Sequence, residues 1–356
     1  MVAGLLTGGA FGYLFDYVIW CALYLSLILH TWCFFRFFPR DRRRKTGLVL
    51  GNALVFLVLL GGVALAAESY LRFVAVYTDS FGVSLPARRW FALHTRLNSL
   101  GCRDREWTTS KPDGVRRIAF VGDSFTYGWG IERVEDRFTD LIQARFDSAS
   151  PGTIEVLNVS KPGWGTGDQI QPIRDIIELF GIDEIVLCYV PNDIEKLIPT
   201  SEEFNPTRPP DYGFFNLDAS PLLDYVYRRV YLPTVPTVRS YHDWLADGFA
   251  NDTVWSAHVG QFRDIGAECR ERGVAFRAAV LPFLRTGGKK FRAELVHQRV
   301  GAALRDAGAD VVDLLPVPAG AEPGTLIVNS LDAHPNEAAQ RMIADAIWKA
   351  FYVEKQ

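Results

Sequence analysis

The stretch Arg116–Ser124, RRIAFVGDS, decides the fold. Its apolar run is typical of a buried β-strand, and the glycine, aspartate and serine that end it indicate a tight turn. Apolar residues at helical spacing follow in EDRFTDLIQARF, and a second strand-like run, IEVLNVS, comes after them. This alternation of short strands and amphipathic helices predicts a parallel sheet covered by helices on both faces.

The alternation continues to the C-terminus and yields five strands. The other three strand-like runs are DEIVLCYV, VAFRAAVLP and ADVVDLL, and PNEAAQRMIADAIWKAF closes the chain as a helix. We therefore predict a flavodoxin-like three-layer α/β/α sandwich with a five-stranded parallel sheet in residues 115–356. Such sheets bind their ligands at the carboxyl ends of the strands, so functional residues are expected there.

Residues 1–72 predict a transmembrane hairpin with helices at about 11–35 and 47–67. Asp16 and His30 are the first helix's only Asp, Glu, Lys, Arg or His residues, and the second helix has none. Each stretch is long enough to cross a bilayer core, which takes about 20 residues in a helix.

The loop between the helices, residues 36–45, holds six basic residues and one acid. The positive-inside rule places this loop in the cytoplasm and everything after about residue 70 outside. We therefore expect a two-pass protein of a bacterial cytoplasmic membrane, with residues 73–114 as a linker and the large domain on the periplasmic or extracellular side. A cleaved signal peptide is the competing interpretation, but the basic n-region is missing and the first apolar stretch is too long.

Composition excludes several classes of protein. The net charge of −3 leaves no basic surplus for binding nucleic acid. A hydrophobic share of 49% and a charged share of 22% exclude a disordered chain. The five cysteines include no CxxC pair and the six histidines no HExxH motif, so we expect neither a disulfide scaffold nor a metal site, and no cofactor.

Polar residues follow the predicted strands in four places. The first strand ends in GDSFTYG, which sets Ser124 at a tight turn. The second ends in NVSKPGWGT, where Gly163 allows the backbone to approach a ligand, and the third in VPNDI, with Asn192 at its mouth. Near the C-terminus lies DAHPNE, in which His334 is predicted to be a helix N-cap because Pro335 suits the first helical position.

These four blocks, in this order, resemble the SGNH (GDSL-type) hydrolase superfamily over residues 115–352. The resemblance implies that Ser124 is the nucleophile, His334 the base and Asp332 the partner that orients the base. The resemblance also implies an oxyanion hole. Members of the superfamily act on acyl esters. The oxyanion donors would be the backbone N–H groups of Ser124 and Gly163 and the side-chain amide of Asn192.

Elementary chemistry is consistent with these roles. Acyl transfer needs a nucleophile, a base within hydrogen-bond reach and donors aimed at the developing oxyanion. The dipole of a helix N-terminus would favour a neutral His334, whereas Asp332 would favour the imidazolium and fix the tautomer.

Two positions depart from the family pattern. The third block is usually G-x-N-D, but Val190 replaces the glycine here, which could change the approach to Asn192. The last block is often D-x-x-H, but Leu331 occupies that place and the acid is Asp332. Asp313, at the end of the fifth strand, is the fallback for the acid.

Residues 194–254 fit no element of the sheet. They contain seven prolines and ten aromatic residues. Connections this long are usually functional or disordered, and the aromatic content argues against disorder. We interpret the segment as an insertion over the carboxyl ends of the strands, acting as a lid or a docking surface.

Together these features predict a membrane-anchored, exported serine esterase or O-acyltransferase. The resemblance to anchored, exported members of the superfamily implies that the substrates are acyl esters, in particular acetyl esters, of cell-envelope glycans. It also implies a multi-spanning membrane protein as a partner, besides the membrane lipid that the hairpin requires. The alternative is a non-catalytic subunit of a membrane complex that uses the SGNH fold as a binding module.

Overall fold

The computed structural model describes residues 9–37, 45–200, 220–285, 291–322 and 324–353. Most of the predicted basic loop and the part of the predicted insertion at 201–219 therefore lie outside the described residues. The helices are α1 Gly9–Phe37, α2 Lys45–Phe73, α3 Leu85–His94, α4 Ser124–Tyr127, α5 Phe138–Ala149, α6 Thr166–Phe180, α7 Pro221–Val226, α8 Pro236–Arg239, α9 Tyr241–Ala250, α10 Asp252–Glu271, α11 Ala293–Asp306 and α12 Glu337–Phe351. The strands are β1 Arg116–Gly122, β2 Ile154–Ser160, β3 Glu184–Tyr189, β4 Ala275–Val280, β5 Asp310–Asp313, β6 Ile327–Asn329 and β7 Asp332–Pro335.

The chain divides into two compact units. The N-terminal unit contains the described residues 9–37, 45–77, 81–90 and 220–233. The α/β unit contains all the other described residues.

The N-terminal unit is built on α1 and α2, which pack against each other as the predicted hairpin requires. Both helices are long and apolar enough to cross a membrane, although a signal sequence has the same properties. The two helices approach closely at Gly51, where an added Cβ would lie 3.1 Å from the Phe35 ring. Near the other end, the hydroxyls of Tyr17 and Ser69 share a hydrogen bond of 2.7 Å.

The α/β unit contains a five-stranded sheet in the order β2-β1-β3-β4-β5. All neighbouring strands are parallel. The predicted fold class, a flavodoxin-like five-stranded parallel α/β sandwich, is therefore confirmed. In the register of the strands Gly122 lies between Ser160 and Cys188, so the carboxyl ends of the three strands meet at one edge.

Apolar side chains on the two faces of the sheet form two separate cores. Leu187 faces one core, which includes Phe262 of α10 and residues of α6 and α11. Its neighbour Val186 faces the other core, which includes Ile142 of α5 and Ile347 of α12. This alternation along a fully buried strand produces the three layers.

The described residues of the predicted insertion are divided between the two units. Its last part belongs to the α/β unit, where Trp244, Leu245 and Phe249 of α9 are buried in the core. There α9 packs on the end of a 3₁₀ helix, Pro191–Leu197, that begins directly after β3. Residues 220–233 belong to the N-terminal unit instead. The predicted role as a lid over the site stays a prediction, because 201–219 lie outside the described residues.

Candidate active site

Ser124 is held at the carboxyl end of β1 by a sharp turn into the short helix α4. The preceding residue, Asp123, caps this helix, since its Oδ1 accepts a hydrogen bond of 2.9 Å from the N–H of Phe125. Gly128 ends the helix in the left-handed conformation, with φ of 73°. Ser124 is the first residue of α4, and 7% of its surface is exposed.

Three predicted residues form a continuous hydrogen-bonded chain. The distance between Ser124 Oγ and His334 Nε2 is 2.8 Å, and that between His334 Nδ1 and Asp332 Oδ1 is 2.5 Å. Asp332 also accepts the backbone N–H of His334 at 3.1 Å. This is the arrangement of nucleophile, base and orienting carboxylate that acyl transfer requires.

The buried Asp332 fixes the protonation pattern of the imidazole. A carboxylate only accepts hydrogen bonds, so Nδ1 of His334 carries the proton and Nε2 is left to accept from Ser124. Burial alone would raise the pKa of Asp332, but attraction to the imidazolium form of His334 and hydrogen bonds from His334 and Thr78 outweigh it and hold that pKa below its ordinary value. The carboxylate is therefore ionised when it orients the base.

A segment far away in sequence, Thr78–Ser80, is built into the turn that carries the acid. The hydroxyl of Thr78 donates to Asp332 Oδ2, the oxygen that His334 does not use. The Thr78 carbonyl accepts from Asn329 Nδ2 at 3.0 Å, and the N–H of Ser80 donates to the carbonyl of Leu331 at 3.0 Å. The first bond holds the oxygen of the Asp332 carboxylate that the imidazole does not contact, and the other two hold the segment Thr78–Ser80 in place.

Two aromatic rings enclose the imidazole of His334. Trp129 stacks on it with centroids 5.3 Å apart, and Phe125 meets it edge-on at 5.4 Å. The indole N–H of Trp129 donates to the carbonyl of Asp79 at 3.1 Å, which fixes the ring. Gly130, which follows Trp129, has φ of 81°, and a Cβ there would lie only 2.5 Å from the Val328 side chain. Both features favour glycine directly after Trp129. The rings leave His334 few orientations other than the one that faces Ser124.

Asn192 reaches the site at the first turn of the 3₁₀ helix after β3. Its Nδ2 donates to Asp123 Oδ2 at 3.1 Å, the oxygen that lies 3.5 Å from Ser124 Oγ. Burial raises the pKa of Asp123, although the hydrogen bonds from Phe125 and Asn192 act to lower it. Asp123 thus links the predicted oxyanion donor Asn192 to the turn that presents Ser124.

The second glycine-containing block lies beside the Asn192 turn. Gly163 has φ of 77°, a left-handed conformation that favours glycine, and a Cβ there would meet nothing within 4 Å. Gly165 is pressed against the next turn, because a Cβ would lie 2.6 Å from the carbonyl oxygen of Asp193. The structure therefore brings the turn of Gly163 next to that of Asn192, while the oxyanion role of the Gly163 N–H stays a prediction.

The valine that replaces the family's glycine does not disturb this arrangement. Val190 has φ of −121°, which suits any residue, and its side chain is fully buried in one of the two cores. Pro191 begins the 3₁₀ helix that carries Asn192. The substitution therefore adds core packing and leaves Asn192 at the mouth of the strand.

One sequence-based expectation was wrong, and one fallback is not needed. His334 is not a helix N-cap: it lies in β7, and Asn336 caps α12 by accepting the N–H groups of Ala338 and Ala339. An Asn side chain two residues further on makes both cap bonds, and helix α12 therefore begins after Pro335. Asp313 does not orient His334, since it pairs with His297 at 2.6 Å.

Two residues of the site were missed in the sequence. Asp123 lies inside the GDS block, so its position was visible although its bond to Asn192 was not. Thr78 gave no signal, because it belongs to no periodic pattern and no motif. Trp129 directly follows the GDSFTYG block, so a place near the pocket or in the core could be expected, but its stacking on His334 could not. Within the described part of the chain, no group of three or more His, Cys, Asp or Glu side chains is placed to hold a metal ion.

Comparison with known proteins gave structural likenesses only. No protein-family model and no curated protein matches the chain. An esterase, EstA from Pseudoalteromonas sp., is 13% identical and has a TM-score of 0.41, covering 66% of this chain and 96% of its own. A member of the lipolytic G-D-S-L family from Veillonella parvula is 14% identical with a TM-score of 0.39, covering 67% and 98%. Axe2, an acetyl-xylooligosaccharide esterase from Geobacillus Stearmophilus, was matched as a variant with 13% identity and a TM-score of 0.40, covering 67% and 95%. At these values the likenesses carry no weight for the activity, which has to be inferred from the atoms of the site.

Proposed function

We propose that this chain is a serine esterase or O-acyltransferase of the SGNH type, anchored in a bacterial cytoplasmic membrane. The observation that carries the proposal is the hydrogen-bonded series from Ser124 through His334 to Asp332, with distances of 2.8 and 2.5 Å. It lies at the carboxyl ends of the strands, where the ligands of parallel sheets bind. The resemblance of the four sequence blocks supplies the reaction class.

In the proposed mechanism His334 Nε2 takes the proton of Ser124 Oγ as that oxygen attacks the ester carbonyl. The N–H groups of Ser124 and Gly163 and the amide of Asn192 would bind the resulting oxyanion. The bond to the leaving alkoxide breaks, and the imidazolium gives that oxygen its proton. A water or sugar hydroxyl then attacks the acyl-enzyme, losing its proton to His334, and Ser124 recovers a proton as the acyl group leaves.

The proposed substrate class and location come from the sequence. The basic loop of residues 36–45 favours a cytoplasmic position, which would export the α/β unit. An anchored, exported acyl-ester enzyme would meet acetylated glycans of the cell envelope, and a multi-spanning membrane protein is the proposed acyl-supplying partner. The two apolar helices support anchoring by their length and composition.

The test is labelling of the full-length protein with a fluorophosphonate probe, which reacts with activated serines. We expect labelling of the parent and none of the Ser124→Ala variant. Ser124 is only 7% exposed, which is the one observation in favour of the alternative, a non-catalytic subunit with a covered site. A folded parent that takes no label would support that alternative and overturn the enzyme proposal.

A further inference from the structure

The segment Pro221–Tyr231 buries one ion pair and exposes several apolar side chains, with Arg229 as its one exposed charged residue. It consists of α7 and a π-helical turn, Tyr227–Tyr231. Asp224 and Arg228 are buried, with Arg228 Nε 2.8 and 3.0 Å from the two carboxylate oxygens. Three apolar side chains on another face are 40% to 64% exposed. We call this set the outer apolar face: Leu223, Val226 and Val230.

This distribution is the reverse of that in a water-exposed helix. The spacing of three and four residues puts Leu223, Val226 and Val230 on one side of the segment. In water that side would pack inward, since burial of apolar surface is worth about 25 cal/mol per Å². In lipid the preference inverts, because an ion pair is best kept inside the protein and apolar side chains can face the hydrocarbon.

The end of α2 has the same inverted pattern. Glu68 and Arg72 are buried and form an ion pair of 2.7 Å. Tyr70, Phe73 and Val74, in the same turns, are each more than half exposed. Two neighbouring elements of the N-terminal unit therefore both present apolar surface outward around buried charges.

Glu68 joins the two elements. Its Oε2 accepts hydrogen bonds from Ser220 Oγ at 2.8 Å and from the N–H of Leu222 at 2.9 Å. The carboxylate that pairs with Arg72 thus also caps the first turn of α7. The first turn of α7 therefore lies beside Glu68 and at the same level along the axis of α2.

The length of α2 gives the depth of that position. Glu68 comes 23 residues after Lys45, which is about 35 Å at a rise of 1.5 Å per residue. A bilayer's hydrocarbon core is about 30 Å thick. With Lys45 at the inner boundary, Glu68 and the start of α7 therefore lie at the outer boundary.

We propose that Pro221–Tyr231 is a third membrane element, which lies in the outer leaflet with the outer apolar face in contact with lipid. The proposal rests on the membrane anchoring given above as part of the proposed function. Its partner is the same bilayer that holds α1 and α2, at the level where acyl chains meet headgroups. Tyr227 and Tyr231 suit that level, since tyrosine is enriched at membrane interfaces. The insertion then serves as a membrane contact in this part of its length.

Spin-label accessibility tests the proposal in the full-length chain. Cys21 and Cys33 are replaced by Ser, since the other three cysteines are buried. Labels are attached at Val226→Cys or Val230→Cys, and the protein is placed in vesicles of phosphatidylethanolamine and phosphatidylglycerol. Oxygen collects in lipid and a nickel chelate in water, so we expect both labels to give an oxygen-to-nickel collision ratio several-fold above that of an aqueous control.

Two control positions distinguish failure of the third membrane element from failure of the membrane anchoring. Leu179→Cys, on α6, is the aqueous control, because Leu179 is an exposed apolar residue of the α/β unit. Val63→Cys, on α2, is the lipid control. If Val63 reports lipid while Val226 and Val230 match Leu179, the third membrane element is excluded and the anchor stands. If Val63 also matches Leu179, the anchoring itself fails, and this proposal fails with it.

Discussion

The two units of the chain differ in where their apolar side chains lie, although both units bury charged side chains. In the α/β unit apolar side chains fill both cores, whereas in the N-terminal unit buried ion pairs are surrounded by exposed apolar residues. The buried pairs of the N-terminal unit are Glu68–Arg72 and Asp224–Arg228. Since the same physical rules act on both units, the exposed apolar surface of the N-terminal unit supports the proposal that this unit lies in lipid.

Buried polar groups also have different tasks in the two units. In the N-terminal unit Glu68 joins helices and caps a turn, which are structural tasks. In the α/β unit the buried Asp332 ends a series of bonds that reaches a serine hydroxyl. Four substitutions can break or sharpen this contrast.

The largest effect is expected from Ser124→Ala, which removes the proposed nucleophile from the α/β unit. Residues of such a triad act as a unit, so turnover should fall by about 10³-fold or more. Hydrolysis of p-nitrophenyl acetate by the full-length protein measures it. Ser148→Ala, an exposed serine on α5, is the matched control and should keep the parent's rate. Equal rates for the Ser124→Ala variant and the parent would place the activity elsewhere.

The next effect belongs to the N-terminal unit. Glu68→Ala deprives the buried Arg72 of the Glu68 carboxylate and leaves the N–H of Leu222, in the first turn of α7, without its acceptor. Loss of one partner of a buried pair costs about 3–5 kcal/mol. Segment 220–231 should then open more often, so trypsin should cleave at the exposed Arg229 faster than in the parent.

The control for this experiment is Glu271→Ala, an exposed acid at the end of α10. It should leave the cleavage rate at Arg229 unchanged. Turnover of p-nitrophenyl acetate reports whether the α/β unit is still folded in each variant. Identical cleavage of the Glu68→Ala variant and the parent would show that the buried pair is not what holds the segment.

A smaller effect is expected at Thr78, whose hydroxyl donates to Asp332, the proposed partner of the base. Thr78→Val removes the hydrogen bond to Asp332, and a bond to a charged group contributes about 1.5–3 kcal/mol, so kcat should fall by about 10- to 100-fold. The bond favours the ionised carboxylate, so its loss raises the pKa of Asp332 and moves the acid limb of the kcat/KM profile to higher pH.

A second substitution at Thr78 distinguishes loss of the hydrogen bond to Asp332 from a general disturbance of packing. Thr78→Ser keeps the hydroxyl, and it should restore both the rate and the acid limb. A Thr78→Val variant that loses activity without any shift of the pH profile would argue that only packing was disturbed.

The sequence predicted the α/β architecture, because strands that alternate with helices determine where polar strand ends meet. The resemblance of its four blocks predicted that Ser124, His334 and Asp332 lie together, as they do. The sequence could not predict Thr78, which reaches Asp332 across more than 250 residues. The N-cap prediction for His334 failed because Pro335 also suits the end of a strand, and the capping bonds of Asn336 depend on a fold that the motif does not specify.

The outer apolar face shows a second limit of sequence patterns. The spacing of Leu223, Val226 and Val230 was visible, and such spacing predicts that one face of a helix is apolar. It does not say whether that face meets protein or lipid. The buried positions of Asp224 and Arg228 support the proposed contact with lipid, and burial is a property of the folded chain.

The smallest effect concerns the stability of the α/β unit near the Asn192 turn. Burial raises the pKa of Glu195 from its ordinary 4.5 to about 7, even though the Tyr241 hydroxyl donates a hydrogen bond to it. Between these two values the folded state binds more protons than the unfolded state, so this contribution to stability is present below about pH 4.5 and is lost as the pH rises to about 7.

Glu195→Gln removes this ionisation and keeps an oxygen that can accept from Tyr241. Because Glu195 is half-buried and partly screened, we expect the variant to be more stable than the parent by about 2 kcal/mol at pH 8. At pH 4.5 the two proteins should differ little, since Glu195 is then protonated in the parent. Thermal unfolding followed by near-ultraviolet circular dichroism measures the difference at both pH values, with the exposed Glu271→Gln as control. A stability difference that is the same at both pH values would mean that Glu195 does not titrate in this range.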